Sequence, residues 1–153
     1  MLKIDVQYTT DHNDVPSEAQ IQEWIRAALQ HTPVAIPTAQ RSITICFISR
    51  EKSAALNQQF RQKSGPTNVL AFEDEPLGPL PADSLGDLAI CADVVHEEAQ
   101  ALACSTEAHF AHMVIHGLLH LLGYDHITND DAIIMEPIET QILQSLGFDD
   151  PYQ

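Results

Sequence analysis

The spacing of apolar and polar positions predicts strands and helices in alternation along this chain. Residues 2–8 alternate between apolar and polar side chains, which is the period of a strand with one buried face. Ser17 and Gln20 then have the spacing of a capping box, so we expect a helix to begin there. The apolar stripe of this amphipathic helix consists of Ile21, Trp24, Ile25, Ala28 and Leu29.

The remaining elements follow from β-branched runs, capping residues and glycines. Strands are predicted over 43–48, 68–72 and 85–91, and helices over 50–62, 94–103, 106–122 and 129–146. Asp93 is expected to cap the third helix, and Pro137 leaves open whether the last region is one kinked helix or two. The order β-α-β-α-β-β-α-α-α predicts an α+β fold. We expect one domain over 1–153, with a small four-stranded mixed sheet packed with about five helices.

Composition limits where such a protein works. No apolar run approaches the ~20 residues of a membrane helix. The N-terminus also has no basic segment followed by an apolar one, so we expect a cytoplasmic protein rather than a secreted one. The three cysteines, Cys46, Cys91 and Cys104, are far apart and odd in number. This favours reduced, mostly buried thiols over disulfides or a cysteine zinc site.

The net charge of −15 argues against a polyanion as a partner, because a negative field slows its approach. The basic residues are nevertheless grouped, since five of the seven fall between Arg41 and Lys63 and none follows His126. The sequence supports two interpretations of these basic residues about equally: one local basic face, or ordinary scattered charges in solvent. An acidic surface would also attract basic proteins.

The segment 116–126 carries three histidines in a metal-binding arrangement. His116 and His120 are four residues apart on a predicted helix, so both imidazoles can reach one ion. Gly123 ends the helix, and His126 just beyond it can supply a third ligand. Three histidine ligands leave a position open for water, as in catalytic zinc sites, although nickel or another divalent transition metal would suit them too. We therefore expect a metal-dependent hydrolase with one zinc ion per chain, bound by a zincin-like helix.

The residue at position 117 bears on which reactions such a site can catalyse. The histidine spacing matches that of metzincin peptidases, in which a glutamate directly after the first histidine is the general base. Here the residue is Gly117, so a metallopeptidase or amidohydrolase stays an alternative that needs a remote carboxylate such as Asp87. Arg61 can bind phosphate oxygens. Taken alone, it is better explained as a solvated arginine near a helix C-terminus.

Several blocks of the chain resemble the YbeY-type bacterial endoribonucleases. The eleven residues HGLLHLLGYDH, at 116–126, are similar to the family's metal-binding signature, and EAHFAH precedes them as in proteobacterial members. LNQQFRQK and PTNVLAF, within 56–72, resemble a second block, and LGDLAIC at 85–91 a third. Asn68 and Ala71 depart from the family pattern, in which many members have aspartate and serine.

This resemblance implies a single-strand-specific, metal-dependent endoribonuclease of ribosomal RNA processing and ribosome quality control. The implied substrate is the 3′ end of the small-subunit (16S) ribosomal RNA, and the implied partners are small-subunit proteins and an assembly GTPase. By residue match, the metal ligands are His116, His120 and His126 and the substrate-binding arginine is Arg61.

The resulting hypothesis divides the roles among a few residues. The metal activates water or binds a phosphate oxygen while Arg61 neutralises charge at phosphorus, which makes Arg61 and His116 the predicted catalytic residues. Candidates for orienting an imidazole or lining the cleft are His112, Asp125, Tyr124 and Asp87, with weaker support for His109. Besides the nuclease and the peptidase, a third interpretation is a non-catalytic ribosome-assembly factor with a structural metal.

Overall fold

The secondary structure follows the predicted order. This computed structural model describes residues 2–9, 14–32, 42–73, 84–124 and 129–152. The described strands are β1 (Lys3–Tyr8), β2 (Ser42–Ile48), β3 (Val69–Glu73) and β4 (Ser84–Cys91). The described helices are α1 (Glu18–His31), α2 (Arg50–Arg61), α3 (Ala92–Ala101), α4 (Thr106–Leu121) and α5 (Asn129–Ser145). The α+β class is confirmed, and the expectation of one domain over 1–153 stays a prediction.

The four strands form one mixed sheet in the order β1-β2-β4-β3. β1, β2 and β4 run parallel, and β3 pairs antiparallel with β4 at the edge. Ala71 lies opposite Leu88, and Phe72 lies opposite Asp87. Since side chains alternate along a strand and opposite residues share a face, Ala71 and Leu88 face one side of the sheet and Phe72 and Asp87 the other.

The main core lies on the side of the sheet that Leu88 faces, where α1, α4 and α5 pack against one another and α4 contacts β3 and β4. α4 is buried along most of its length. α1 begins with the predicted capping box, because Ser17 and Gln20 each satisfy the other's backbone N–H. α2 packs on the opposite side of the sheet, near a small cluster of Ile48, Leu70 and Ala89. Within the described ranges, no helix has the length and apolar character needed to span a membrane.

Two local predictions were wrong, and one open question is answered. The N-cap of α3 is Cys91 without a side-chain cap bond, so Asp93 lies inside the first turn, where the helix dipole favours a carboxylate. All three thiols are free, but Cys104 is exposed because it lies in the turn between α3 and α4. α5 continues through Pro137 as one helix.

Candidate active site

The C-terminus of α4 turns the chain directly after the predicted metal ligand His120. Gly123 has a φ of +103°, the Gly123 N–H donates to the His120 carbonyl at 3.1 Å, and the Tyr124 N–H donates to the Leu119 carbonyl at 3.0 Å. These two bonds form the pattern that commonly ends helices at glycine, as the sequence predicted. Asp125 and His126 lie beyond this turn, outside the described residues.

A row of histidines follows one face of α4 toward this turn. The ring centroids of His109 and His112 are 6.0 Å apart, and those of His112 and His116 are 6.2 Å apart. Each of the three imidazoles contacts a carboxylate from another helix. His109 Nε2 lies 2.9 Å from Glu98 of α3, while His112 and His116 both reach Glu139 of α5. His109 and His112 were predicted only as supporting or cleft-lining residues, and the structure gives each a carboxylate as a hydrogen-bond partner.

Glu139 is fully buried, and its carboxylate accepts hydrogen bonds from His112, His116 and Tyr152. His116 Nδ1 lies 2.9 Å from Oε1, and His112 Nε2 and the Tyr152 hydroxyl each lie 2.6 Å from Oε2. Burial alone raises the pKa of Glu139. The hydrogen bonds from His112 and His116, the charge of His116 and the bond from Tyr152 more than offset this and lower the pKa to about 2. Glu139 is therefore an ionised acceptor, which makes Nδ1 of His116 the donor.

The hydroxyl of Tyr152 keeps its proton in this arrangement. Tyr152 is 43% exposed as a residue, but the partial burial of its hydroxyl and its bond to the negative Glu139 raise the pKa of Tyr152 well above its usual value. The three donors together offset the cost of a fully buried carboxylate, which would be several kcal/mol without them. The network thus fixes the rotation of the His116 ring from the side of α5.

Glu139 was missed by the sequence reasoning, although a signal was present. Among the residues of α5 whose side chains are described, Met135, Glu139, Ile142 and Leu143 are buried at the spacing of one helical stripe. A glutamate within an otherwise apolar stripe is unusual, because glutamate is almost never fully buried without a partner. That mismatch identifies a position with a polar contact in the core.

A cleft of about 560 Å³ lies between the edge of the sheet and two helices. One wall is β3 with Asn68 before it, and a second is α4, which contributes His116, Gly117 and His120. The end of α2 adds Phe60 and Arg61. The fold thus places Arg61 in one cleft with two of the predicted metal ligands, a proximity that local patterns in the sequence do not indicate.

The end of α2 is fixed to the segment before β3 by two buried polar side chains. Ser53 donates to the Thr67 carbonyl at 2.9 Å and accepts from the Thr67 N–H at 3.0 Å. Asn57 donates to the Gly65 carbonyl at 2.9 Å. Ser53 and Asn57 are one helical turn apart and only 1% and 4% exposed. These bonds hold α2 against the chain that enters β3, and so they set the position of the exposed Arg61 at the cleft.

Asn68 connects the cleft to α3. Its side-chain oxygen accepts from the Val69 N–H at 2.6 Å, and its amide donates to Glu98 at 3.0 Å. Glu98 also contacts His109. An aspartate at position 68 would place two carboxylates in contact, which explains the amide in this chain. Nothing in the structure explains the alanine at position 71, which lines the cleft.

The remaining candidates are placed as follows. Asp87 lies opposite Phe72 on the face of the sheet away from α4 and is not among the described residues that line the cleft, so its role as a remote base stays a prediction. A Cβ on Gly117 would lie 2.7 Å from Leu88 Cδ2, so α4 packs closely on the sheet and leaves no ready space for a glutamate. Tyr124 packs, half-buried, against the main core.

Fold and cleft together define an α+β domain with a group of histidines and a glutamate that could hold a metal ion. The family model described as Endoribonuclease YbeY matches residues 5–147. Proteins named Endoribonuclease YbeY from Coxiella burnetii strains Dugway 5J108-111 and RSA 331 / Henzerling II are each 51% identical over 153 residues, covering 100% of this chain and 99% of the relative. The chain therefore belongs to the endoribonuclease YbeY family.

A solved structure supports the same fold. The solution structure of TM1509 from Thermotoga maritima superposes with a TM-score of 0.61 at 23% sequence identity. The match covers 94% of this chain and 88% of that chain. The architecture of sheet and helices is thus shared with an experimentally determined protein.

Proposed function

We propose that this chain is a single-strand-specific, metal-dependent endoribonuclease that matures the 3′ end of small-subunit ribosomal RNA and acts in ribosome quality control. The observation that carries this proposal is the cleft that holds Arg61 together with His116 and His120 in a member of this family. We further propose that it works in the cytoplasm with small-subunit ribosomal proteins and an assembly GTPase. The acidic charge of −15 supports basic protein partners.

The metal proposed for this site is zinc, held by His116, His120 and His126. Within the described residues, one group has ligand atoms close enough to hold a metal ion: His112, His116 and Glu139, whose atoms lie within 4.8 Å of one another. The residues of the site therefore fit a metal ion, and two arrangements are compatible with them. In one, this group binds the ion itself, and in the other, Glu139 supports a ligand whose opposite nitrogen faces the cleft.

The contacts favour the second arrangement. Both oxygens of Glu139 already accept hydrogen bonds, and its side chain is fully buried. His112 lines a separate cavity with Tyr152, whereas His116 and His120 line the cleft. A carboxylate on Nδ1 of a histidine is the usual outer partner of a metal-binding imidazole, because it fixes the tautomer that leaves Nε2 for the ion.

In this arrangement the residues of the site have separate roles. The guanidinium of Arg61 binds phosphate oxygens with two parallel hydrogen bonds and neutralises the charge that builds up at phosphorus. Glu139 keeps the ring of His116 oriented. When bound, zinc would supply Lewis-acid polarisation of a phosphoryl oxygen and of the attacking water. Gly117 lets α4 approach Leu88 closely and provides no carboxylate next to His116, which disfavours the peptidase alternative.

The experiment that tests this function compares labelled single-stranded and double-stranded RNA, each incubated with the purified protein. We expect cleavage of the single strand alone, its loss after a chelator, and its return when zinc is added. Substrates ending in the 3′ region of small-subunit RNA, free and within ribosomal subunits, test the proposed target. A metal-loaded protein that leaves RNA intact, even with ribosomes present, would instead support the non-catalytic assembly factor.

Glu139→Gln is expected to weaken metal binding roughly 10–100-fold, the usual cost of losing an outer partner of a metal ligand. The amide keeps the shape of the side chain but removes its charge, so the His116 ring is no longer held by an ionised acceptor. Metal affinity is measured by competition with a chromogenic chelator. Tyr152→Phe is the matched control, because it removes one bond to Glu139 and leaves both histidine bonds in place.

The same variant tests the low pKa of Glu139. A carboxyl group with a pKa of about 2 in the folded protein and its ordinary value of 4.5 in the unfolded chain stabilises the fold above pH 4.5. This stabilisation is lost as the pH falls from 4.5 toward 2. The free energy of unfolding of the metal-free protein, measured with urea, should fall more steeply with decreasing pH in that window for the wild type than for Glu139→Gln. If this free energy depended on pH equally in both proteins, the result would contradict an ionised, buried carboxylate at position 139.

A further inference from the structure

Phe60 is a large apolar side chain at the surface of the proposed catalytic cleft. Its residue surface is 54% exposed, and it lines the cleft beside Arg61. The ring contacts that of Phe72 edge-on, with centroids 5.1 Å apart and planes inclined by 70°. This contact fixes the orientation of the Phe60 ring. More than half of the surface of this residue is thus exposed to the solvent, with its ring at the cleft.

The fold does not account for this exposure. The fully buried residues of α2 are Ser53 and Asn57, and Phe60 belongs to neither of the hydrophobic clusters of the described residues. A phenylalanine that contributed only to folding would be expected to bury most of its ring. Three other exposed apolar side chains, Leu102, Ile133 and Ile134, do not line the cleft. The position of Phe60, rather than its exposure alone, points to a ligand.

The charges around Phe60 indicate the kind of ligand. Arg61 and Lys63 follow it within three residues, and both are exposed. Glu73 is the acidic member of the described lining residues, in a chain with a net charge of −15. An aromatic ring next to cations is how proteins bind unpaired nucleotides, since a base stacks on the ring while the cations contact the backbone phosphates.

We propose that Phe60 stacks on one base of a single-stranded RNA whose phosphate is bound by Arg61 in the same cleft. The proposal rests on the proposed ribonuclease function and adds to it a base-binding subsite. A paired base is already stacked in its helix and cannot lie on the ring. Phe60 thus gives a physical reason for a preference for single strands. Stacking tolerates any base, so we expect little sequence discrimination at this position.

The test measures kcat and KM on a short single-stranded RNA with the metal-loaded enzyme. Phe60→Ala is expected to lower kcat/KM roughly 5- to 150-fold, the range for losing one base–aromatic stack, while Phe60→Trp retains activity. Leu102→Ala, which truncates a 61% exposed side chain outside the cleft, should have no effect. Phe60→Trp also reports stacking directly. Its fluorescence should be quenched by RNA, whereas that of Trp24, 2% exposed, should not respond.

A set of RNAs with one abasic nucleotide at successive positions identifies the stacked base. In the wild type, one abasic position should cost as much as Phe60→Ala does, and in Phe60→Ala that position should cost nothing further. A fully active Phe60→Ala, or a loss of activity without such coupling, would overturn the stacking role while leaving the ribonuclease function in place. A wild type that neither binds nor cleaves RNA would overturn the proposed function itself.

Discussion

Replacing His120 with alanine is expected to abolish both metal binding and RNA cleavage. His120 lies in the last turn of α4 and shares the cleft with His116, one turn earlier. Since it is a proposed direct ligand, its loss should weaken metal binding by more than the ~100-fold that bounds the loss of an outer partner. Elemental analysis of the purified variant gives the metal content, and cleavage of single-stranded RNA gives the activity.

His31→Ala is the matched control for this experiment. His31 ends α1 and contacts the Ala27 carbonyl at 2.9 Å, and it does not line the cleft. Its replacement should leave about one metal ion per chain, as a three-histidine site predicts. If His120→Ala keeps its metal while His112→Ala loses it, the ion is bound by the group of His112, His116 and Glu139 and our ligand assignment is wrong.

The elements of this fold could be predicted because each depends on neighbouring residues. The capping box of Ser17 and the helix-ending role of Gly123 are local interactions, and both are confirmed. The pairing of two histidines on α4 is also local, since it depends only on a spacing of four. The prediction failed at Asp93, where the strand β4 continues directly into α3 and leaves the acidic side chain inside the first turn.

The contacts between distant segments could not be predicted in this way. Arg61 reaches the cleft because buried hydrogen bonds of α2 hold it to the chain before β3, and no periodicity in the sequence reports such bonds. The face of the sheet on which Asp87 lies could not be predicted either, because it depends on the register of β3 and β4. Glu139 lies 23 residues from His116, and only the packing of α5 on α4 brings the two together.

Replacing Arg61 with alanine should spare the metal and remove most of the activity. The side chain is exposed at the end of α2, so its loss creates no cavity and should leave the fold and the histidine site intact. Removing a group that stabilises charge in the transition state typically costs ~10²–10³ in kcat. We expect a loss of that size with about one metal ion per chain retained.

Two further variants separate the role of the guanidinium from that of charge alone. Arg61→Lys keeps the positive charge but cannot form two parallel hydrogen bonds to a phosphate, so its activity should fall between those of the wild type and Arg61→Ala. Arg26→Ala removes an exposed arginine of α1 that does not line the cleft, and it should behave as the wild type. Full activity of Arg61→Lys would show that charge suffices. Loss of metal from Arg61→Ala would mean that the arginine supports the histidine site, and the proposed division of roles would fail.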